Sequence, residues 1–165
     1  LPEEYGSYLN LLSKNSKRNV RTAQHRLKRD NLTAEFILHS KKDKDKIDFG
    51  KLKALYYARN KNKLKASWKS RVYVKLDSLF MGYPDMFDFQ ETKDTDFNLG
   101  MLEINGRLAS YFFGFKRNDI IEINRVTIVD EFKFYSPGIL LFNQFIKQQL
   151  EQGLKVVDLT VGDEK

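Results

Sequence analysis

Asn105-Gly106 divides two runs, Leu99 to Ile104 and Arg107 to Phe115, that are rich in the apolar and aromatic residues of strands. Asn and Gly tolerate the positive φ angles of a tight two-residue turn, and such a pair between strand-like runs is the strongest short-range hairpin signal. A second polar turn, Lys116-Arg117-Asn118-Asp119, leads into Ile120 to Val129, so three consecutive antiparallel strands are expected. Beyond a short loop, Leu141, Phe142, Phe145, Ile146 and Leu150 recur at helical spacing from Gly138 to Gln152, and Gly153 ends that helix. Lys155 to Val161 reads as a buried strand. The class is therefore mixed α/β, in the α+β sense: a central, mostly antiparallel sheet flanked by helices.

The front half is helical and basic. Tyr5, Tyr8, Leu9 and Leu12 recur at helical intervals, Ser13-Lys14-Asn15-Ser16 supplies a break and an N-cap, and Val20, Ala23 and Leu27 line one face of a second helix crowded with Lys and Arg. Leu32, Ala34, Phe36 and Leu38 alternate as in a strand. Ile47 to about Tyr57 returns to a helical period before the connector Asn60-Lys61-Asn62-Lys63, and Val72 to Phe89 keeps near-helical spacing until Gly82-Tyr83-Pro84. Residues 1–75 hold 20 Lys and Arg against 7 Asp and Glu, whereas 76–165 hold 9 against 15. A basic front of this kind attracts polyanions, so residues 14–75 are a candidate polyanion contact, with solvated helix faces as the equal alternative. Tyr56, Tyr57 and Trp68 lie among these cations as stacking platforms would, although core positions suit them better.

With 165 residues the chain can bury a core as a single domain, 1–165, without disulfides. It has no cysteine and two histidines, His25 and His39, too isolated for a metal site; thiol nucleophiles, disulfide scaffolds and zinc fingers are excluded, and no metal is expected. No apolar run is long enough to span a membrane, and a cytoplasmic location is expected.

The junction between the third strand and the following helix is where chemistry is expected. A helix start carries unpaired N–H groups and partial positive charge and can hold a pyrophosphate. Gly138 would let the backbone approach a phosphate, Pro137 suits the first helical turn, and Ser136 can cap or donate its hydroxyl. By themselves these three residues fit a well-capped helix at least as well. In the last strand Asp158 sits between Val157 and Leu159, where its carboxylate would face away from its neighbours, buried and with a raised pKa, as an acid or base or as a structural anchor. Glu122 and Asn124 share a face of the third strand, and a carboxylate there could act as base through a water; exposed strand positions are the plainer reading.

The string Tyr135-Ser136-Pro137-Gly138-Ile139-Leu140-Leu141, the helix ending at Gly153, Val157-Asp158-Leu159 and Gly162-Asp163-Glu164-Lys165 together resemble the acetyltransferase domain of cellulose and exopolysaccharide biosynthesis proteins, a branch of the GNAT superfamily. The basic helix at Ser16-Lys17-Arg18-Asn19-Val20-Arg21 is similar to one upstream in that group. The resemblance implies an acyl-CoA N-acyltransferase fold, with acetyl-CoA or another acyl-CoA as substrate and a small-molecule or glycan acceptor. The superfamily's Gln/Arg-x-x-Gly-x-Gly/Ala signature lands on Lys133, Ser136 and Gly138, two of its three positions altered, and implies that Lys133, Phe134, Tyr135, Ser136, Pro137, Gly138 and Ile139 cradle the cofactor. Thr127, Ile128 and Val129 would pair with the pantetheine arm where the third and last strands splay apart. Asp158, Glu122 and Asn124 are the candidates for proton transfer during direct attack on the thioester. Members of the group are usually about twice this length, so this chain is expected to be the C-terminal half of a longer protein. A Fem-type transferase using aminoacyl-tRNA, or a non-catalytic polyanion-binding module with a degenerate cofactor loop, are the alternatives.

Overall fold

The computed structural model describes residues 2, 4–64, 96–118, 120–153 and 156–158, the side chains of 41, 53, 57, 59–64, 117, 124 and 125 excepted. The helical reading of Val72 to Phe89, Trp68, the Tyr57 side chain and Leu159 to Lys165 lie outside the described residues. In chain order the elements are α1 (Tyr5–Leu11), α2 (Lys14–Arg29), β1 (Ala34–Ser40), a 3-10 turn (Lys41–Lys46), α3 (Phe49–Leu64), β2 (Asp96–Ile104), β3 (Arg107–Arg117), β4 (Ile120–Ile128), a second 3-10 turn (Asp130–Tyr135), α4 (Pro137–Glu151) and β5 (Val156–Asp158). They divide into two compact units, Leu1–Lys44 with Asp94–Lys165, and Asp45–Lys93.

In the first unit the described strands form a sheet in the order β1-β2-β3-β4-β5. The first four pair antiparallel and β5 joins β4 in parallel, which requires the crossover that α4 provides. Asn105 and Gly106 take φ of 49° and 72°, the left-handed angles expected of the hairpin turn, and Asn118 takes 53° in the next one. Ser13 caps α2 as expected, its Oγ accepting from the Ser16 N–H at 3.1 Å. Ala23 and Leu27 of α2 pack inward with Leu102, Ile104, Phe112, Ile121, Leu141 and Phe145. The core is thus one face of the sheet covered by α2 and α4. Leu99, Tyr111 and Thr127 on the opposite face are buried as well.

Gly100 explains how Phe112 lies in this core. The two residues are opposite each other across β2 and β3, and the Phe112 ring lies over the glycine, so near that a Cβ there would fall 2.2 Å from Cε1. The ring packs edge-on to Phe145 at 4.7 Å and is stacked with Phe142 at 6.1 Å.

In the second unit Asp48 Oδ1 accepts from the Lys51 N–H at 2.9 Å at the start of α3. The helix continues through Asn60-Lys61-Asn62-Lys63, in place of the expected connector; after Gly50 in the first turn no Gly or Pro interrupts it, and lysine is a good helix former.

The last strand departs from expectation. The expected burial of Asp158 is overturned: of the strand expected from Lys155 to Val161 only 156–158 are described, and there Asp158 is exposed and Val156 is 44% exposed, with β5 last in the order of the described strands. The run Val156-Val157-Asp158 has the composition of a central strand, but among the described residues it hydrogen-bonds on one side only.

Candidate functional site

β4 is paired along its whole length with β3, but on its other edge the pairing with β5 covers only Ile120 to Glu122 among the described residues. A β-bulge follows at once: Gly114 faces Ile123 and Phe113 faces Arg125, leaving Asn124 as the extra residue. Gly114 permits it, since a Cβ there would lie 2.6 Å from the Glu122 carbonyl oxygen. The bulge switches the parity of the strand. Ile121 and Ile123 face the helices before it, Val126 and Ile128 after it. The strict alternation that would put Glu122 and Asn124 on one face is therefore interrupted at Asn124, whose side chain lies outside the described ones. In exchange, Glu122 and Asp158 are direct neighbours across the β4–β5 pairing, a juxtaposition that needs the sheet to be seen. Thr127 is buried, and Ile128 and Val129 are half-buried.

Past the turn Asp130–Tyr135, β4 leads to the first turn of α4. Gly138 sits against Ile128, a Cβ there falling 3.1 Å from its Cδ1. Pro137 occupies the first turn and is buried, and its carbonyl accepts from the buried Ser110 Oγ of β3 at 3.1 Å. The Ile139 and Leu140 N–H groups bond back to Ser136 O at 3.0 and 3.3 Å, while no acidic residue stands in the first turn to neutralise the helix end. Ser136 does not cap with its side chain as expected. It joins the 3-10 turn to α4 in the left-handed conformation, φ 53° and ψ 53°, with no side-chain cap bond. That backbone angle is the physical reason a glycine belongs at the middle position of the signature.

The 3-10 turn between β4 and α4, in place of the plain loop expected, is held by α2. Arg26 Nη1 donates to Phe134 O at 2.5 Å and lies 4.6 Å over the Phe134 ring, with Arg29 at 5.4 Å; Phe134 itself is 49% exposed. Tyr135 OH donates to Asp30 Oδ2 at 2.9 Å, and Asp30 is paired with Arg29 at 2.8 Å. Lys133 is paired with Asp130 at 2.8 Å, so an anion at this loop would have to share that cation. The hydrogen bonds from Arg29 and then Tyr135 hold the Asp30 carboxyl below its ordinary pKa, and the same Asp30 raises that of Tyr135. A depressed carboxyl contributes to the tether above the ordinary carboxylate range and loses it as pH falls through its own lower value. NMR titration is expected to find Asp30 titrating below the ordinary aspartate range and moving back toward it in Arg29→Gln; no movement would mean that Arg29 does not hold it.

A groove of about 360 Å³ opens beside the α4 first turn, with Tyr8, Leu12, Asn19 and Val20 of the α1–α2 region facing Gly138 and Phe142. Tyr5 OH donates to Asn143 Oδ1 at 2.6 Å in its neighbourhood, and burial, with Tyr5 adding to it, raises the Tyr8 pKa. Of the residues expected from sequence, the structure joins Thr127 to Ile139 into one continuous strand edge, turn and helix start. Arg26, Arg29, Asp30 and Ser110, which tie that stretch in place, carry no local signal. His25 is exposed and His39 lies in β1; among the described residues no cluster of metal-ligating side chains occurs.

A family model described as an acetyltransferase (GNAT) domain matches residues 14–165. Among solved structures, the chain is similar to a conserved protein of unknown function from Bacteroides thetaiotaomicron VPI-5482, with TM-score 0.50 and 14% identity over 91% of this chain and 46% of that one. At that identity the likeness concerns the fold, and the chain spans a little under half the length of that relative. A search of curated proteins returned no match. No described helix is long and apolar enough to cross a membrane.

Proposed function

Because this chain belongs to the GNAT acetyltransferase-domain family, we propose that it moves an acetyl or other acyl group from acyl-CoA to an amine or hydroxyl of a sugar, cell-envelope precursor or small metabolite. The observation that carries this reading is β4 itself, which is bulged at Asn124, is paired with β5 over Ile120 to Glu122 among the described residues, and brings Ile128 against Gly138 in the first turn of α4. Where β4 and β5 splay apart past that bulge, the strand would offer N–H and C=O groups to the amides of a pantetheine arm, as to an added strand. The helix start offers its field and the Gly138 backbone to the pyrophosphate. The thioester end of the arm would then lie toward the bulge and the Glu122–Asp158 pair. The acceptor's lone pair attacks the thioester carbonyl carbon, the C–S bond breaks, and the thiolate leaves and is protonated. One of the two carboxylates receives the acceptor's proton, directly or through a water.

Ser136 gives a test that separates binding from folding. Ser136→Asp puts a carboxylate where the helix field favours it, and aspartate tolerates the left-handed angle better than most residues, so stability should hold or rise by about 0.5 kcal/mol. The same charge repels a pyrophosphate, and calorimetric titration should show acetyl-CoA affinity falling about tenfold or more. Ser136→Gly relieves the left-handed strain and should stabilise by about 1 kcal/mol with binding kept. Wild-type affinity in Ser136→Asp would place the pyrophosphate elsewhere, and no binding by the wild type at millimolar acetyl-CoA would remove the acyl-CoA reading.

A further inference from the structure

α2 carries seven Lys and Arg in 16 residues and no acid. Its inward face is taken by Ala23 and Leu27. Outward, Lys14, Arg18, Arg21, His25 and Lys28 follow one another at alternating steps of four and three residues, which places them in one stripe along the helix. All five are exposed. At 1.5 Å per residue the stripe is roughly 21 Å long and carries four Lys and Arg, with His25 between Arg21 and Lys28. The other cations of the helix are differently placed: Arg29 pairs with Asp30, Arg26 holds Phe134 and Lys17 donates to Asn10 O. A row of like charges with no acid interleaved repels itself, which a folded chain has no structural reason to maintain. Beyond the Arg26 and Arg29 end of the helix lies the half-exposed Phe134 ring, already bracketed by the two guanidinium groups.

We propose that this stripe, together with the Phe134 ring near its end, is a binding surface for single-stranded nucleic acid. The stripe follows the phosphates, and the ring with its arginines stacks a base. A lipid surface fits less well, because a helix lying on a bilayer must insert an apolar face and that of α2 is spent on the core. The residues flanking the cations, Asn15, Thr22 and Gln24, are polar and exposed. The stripe on α2 is independent of the acyl-CoA reading, whereas Phe134 belongs to the turn that reading also gives to the cofactor.

Fluorescence anisotropy of the whole chain with a labelled oligouridylate tests it, with phosphatidylglycerol vesicles as the competing surface. The wild type should bind with log affinity falling against log salt at a slope of roughly −3, corresponding to about four phosphate contacts at about −0.7 each. The triple variant Arg18→Glu/Arg21→Glu/Lys28→Glu should lose about tenfold or more and flatten the slope, while Arg18→Lys/Arg21→Lys, which keeps the charge, should stay within about threefold. Phe134→Ala should weaken the single strand by about fivefold or more and leave a duplex unaffected. A thermal melt of each variant shows that it is folded. Absence of wild-type binding, equal binding by the charge-reversed variant, or recruitment by vesicles without oligonucleotide binding would each overturn the proposal.

Discussion

Gly100→Val is expected to cost about 3–5 kcal/mol, a large part of the roughly 5–15 kcal/mol that holds a domain of this size together. The first atom of the new side chain would fall 2.2 Å from Cε1 and 2.5 Å from Cζ of Phe112. The ring cannot yield sideways, since Phe145 meets it at 4.7 Å and Phe142 stacks on it. It must leave the core or force β2 and β3 apart, losing its burial in either case. Urea unfolding followed by circular dichroism should show the midpoint falling by about 1 M or more. In a background of Phe112→Ala the same substitution should be much less costly, because the two side chains contest one volume. Additive effects in that cycle would show that the ring does not lie over Gly100.

Gly114→Ala should have the second-largest effect, and its main consequence falls on binding. The contested atom is the Glu122 carbonyl oxygen, 2.6 Å from the added Cβ, and Ile123 Cα is at 3.4 Å. Both belong to main chain, so no rotamer relieves the clash; the bulge must shift or β3 and β4 must separate. A stability loss of about 2–4 kcal/mol is expected. Because the bulge follows the last β4–β5 pair among the described residues, in the stretch that the acyl-CoA reading gives to the cofactor, acetyl-CoA affinity should fall by about tenfold or more even at temperatures where the variant is folded. Gly106→Ala is the control: it strains the turn at φ 72° with open space around the new methyl, costs about 1 kcal/mol and should leave affinity unchanged. If Gly114→Ala binds as the wild type does, the bulge plays no part in the site.

Local pattern accounts for several features of the fold. Asn105-Gly106 marks its hairpin because those two residues readily meet the turn's positive φ angles. The Ser13 cap, the inward Ala23 and Leu27 and the apolar stripe of α4 follow from helical period. The GNAT family suggested by the Ser136-Pro137-Gly138 string is the family that the chain matches. The bulge is also written in the strand: apolar residues occupy 121 and 123, then 126 and 128, with the polar pair Asn124-Arg125 between them. Simple alternation hides that change of parity. Asp158 misleads for a different reason, since Val156 and Val157 say that a strand forms and say nothing about how many neighbours it has.

The sequence by itself determined the α2 cap, the β2–β3 hairpin, the apolar stripe of α4 and which family the chain joins, because dihedral preference and periodicity belong to contiguous residues. Tertiary structure alone decided that Ser110 holds the Pro137 carbonyl, that Arg26 and Asp30 fasten the turn at Phe134 and Tyr135, and that Glu122 and Asp158 stand side by side. Those partners are 27, 108, 105 and 36 positions apart in the chain. Their meeting depends on strand order, register and the close approach that Gly100 and Gly114 allow, none of which a local pattern encodes.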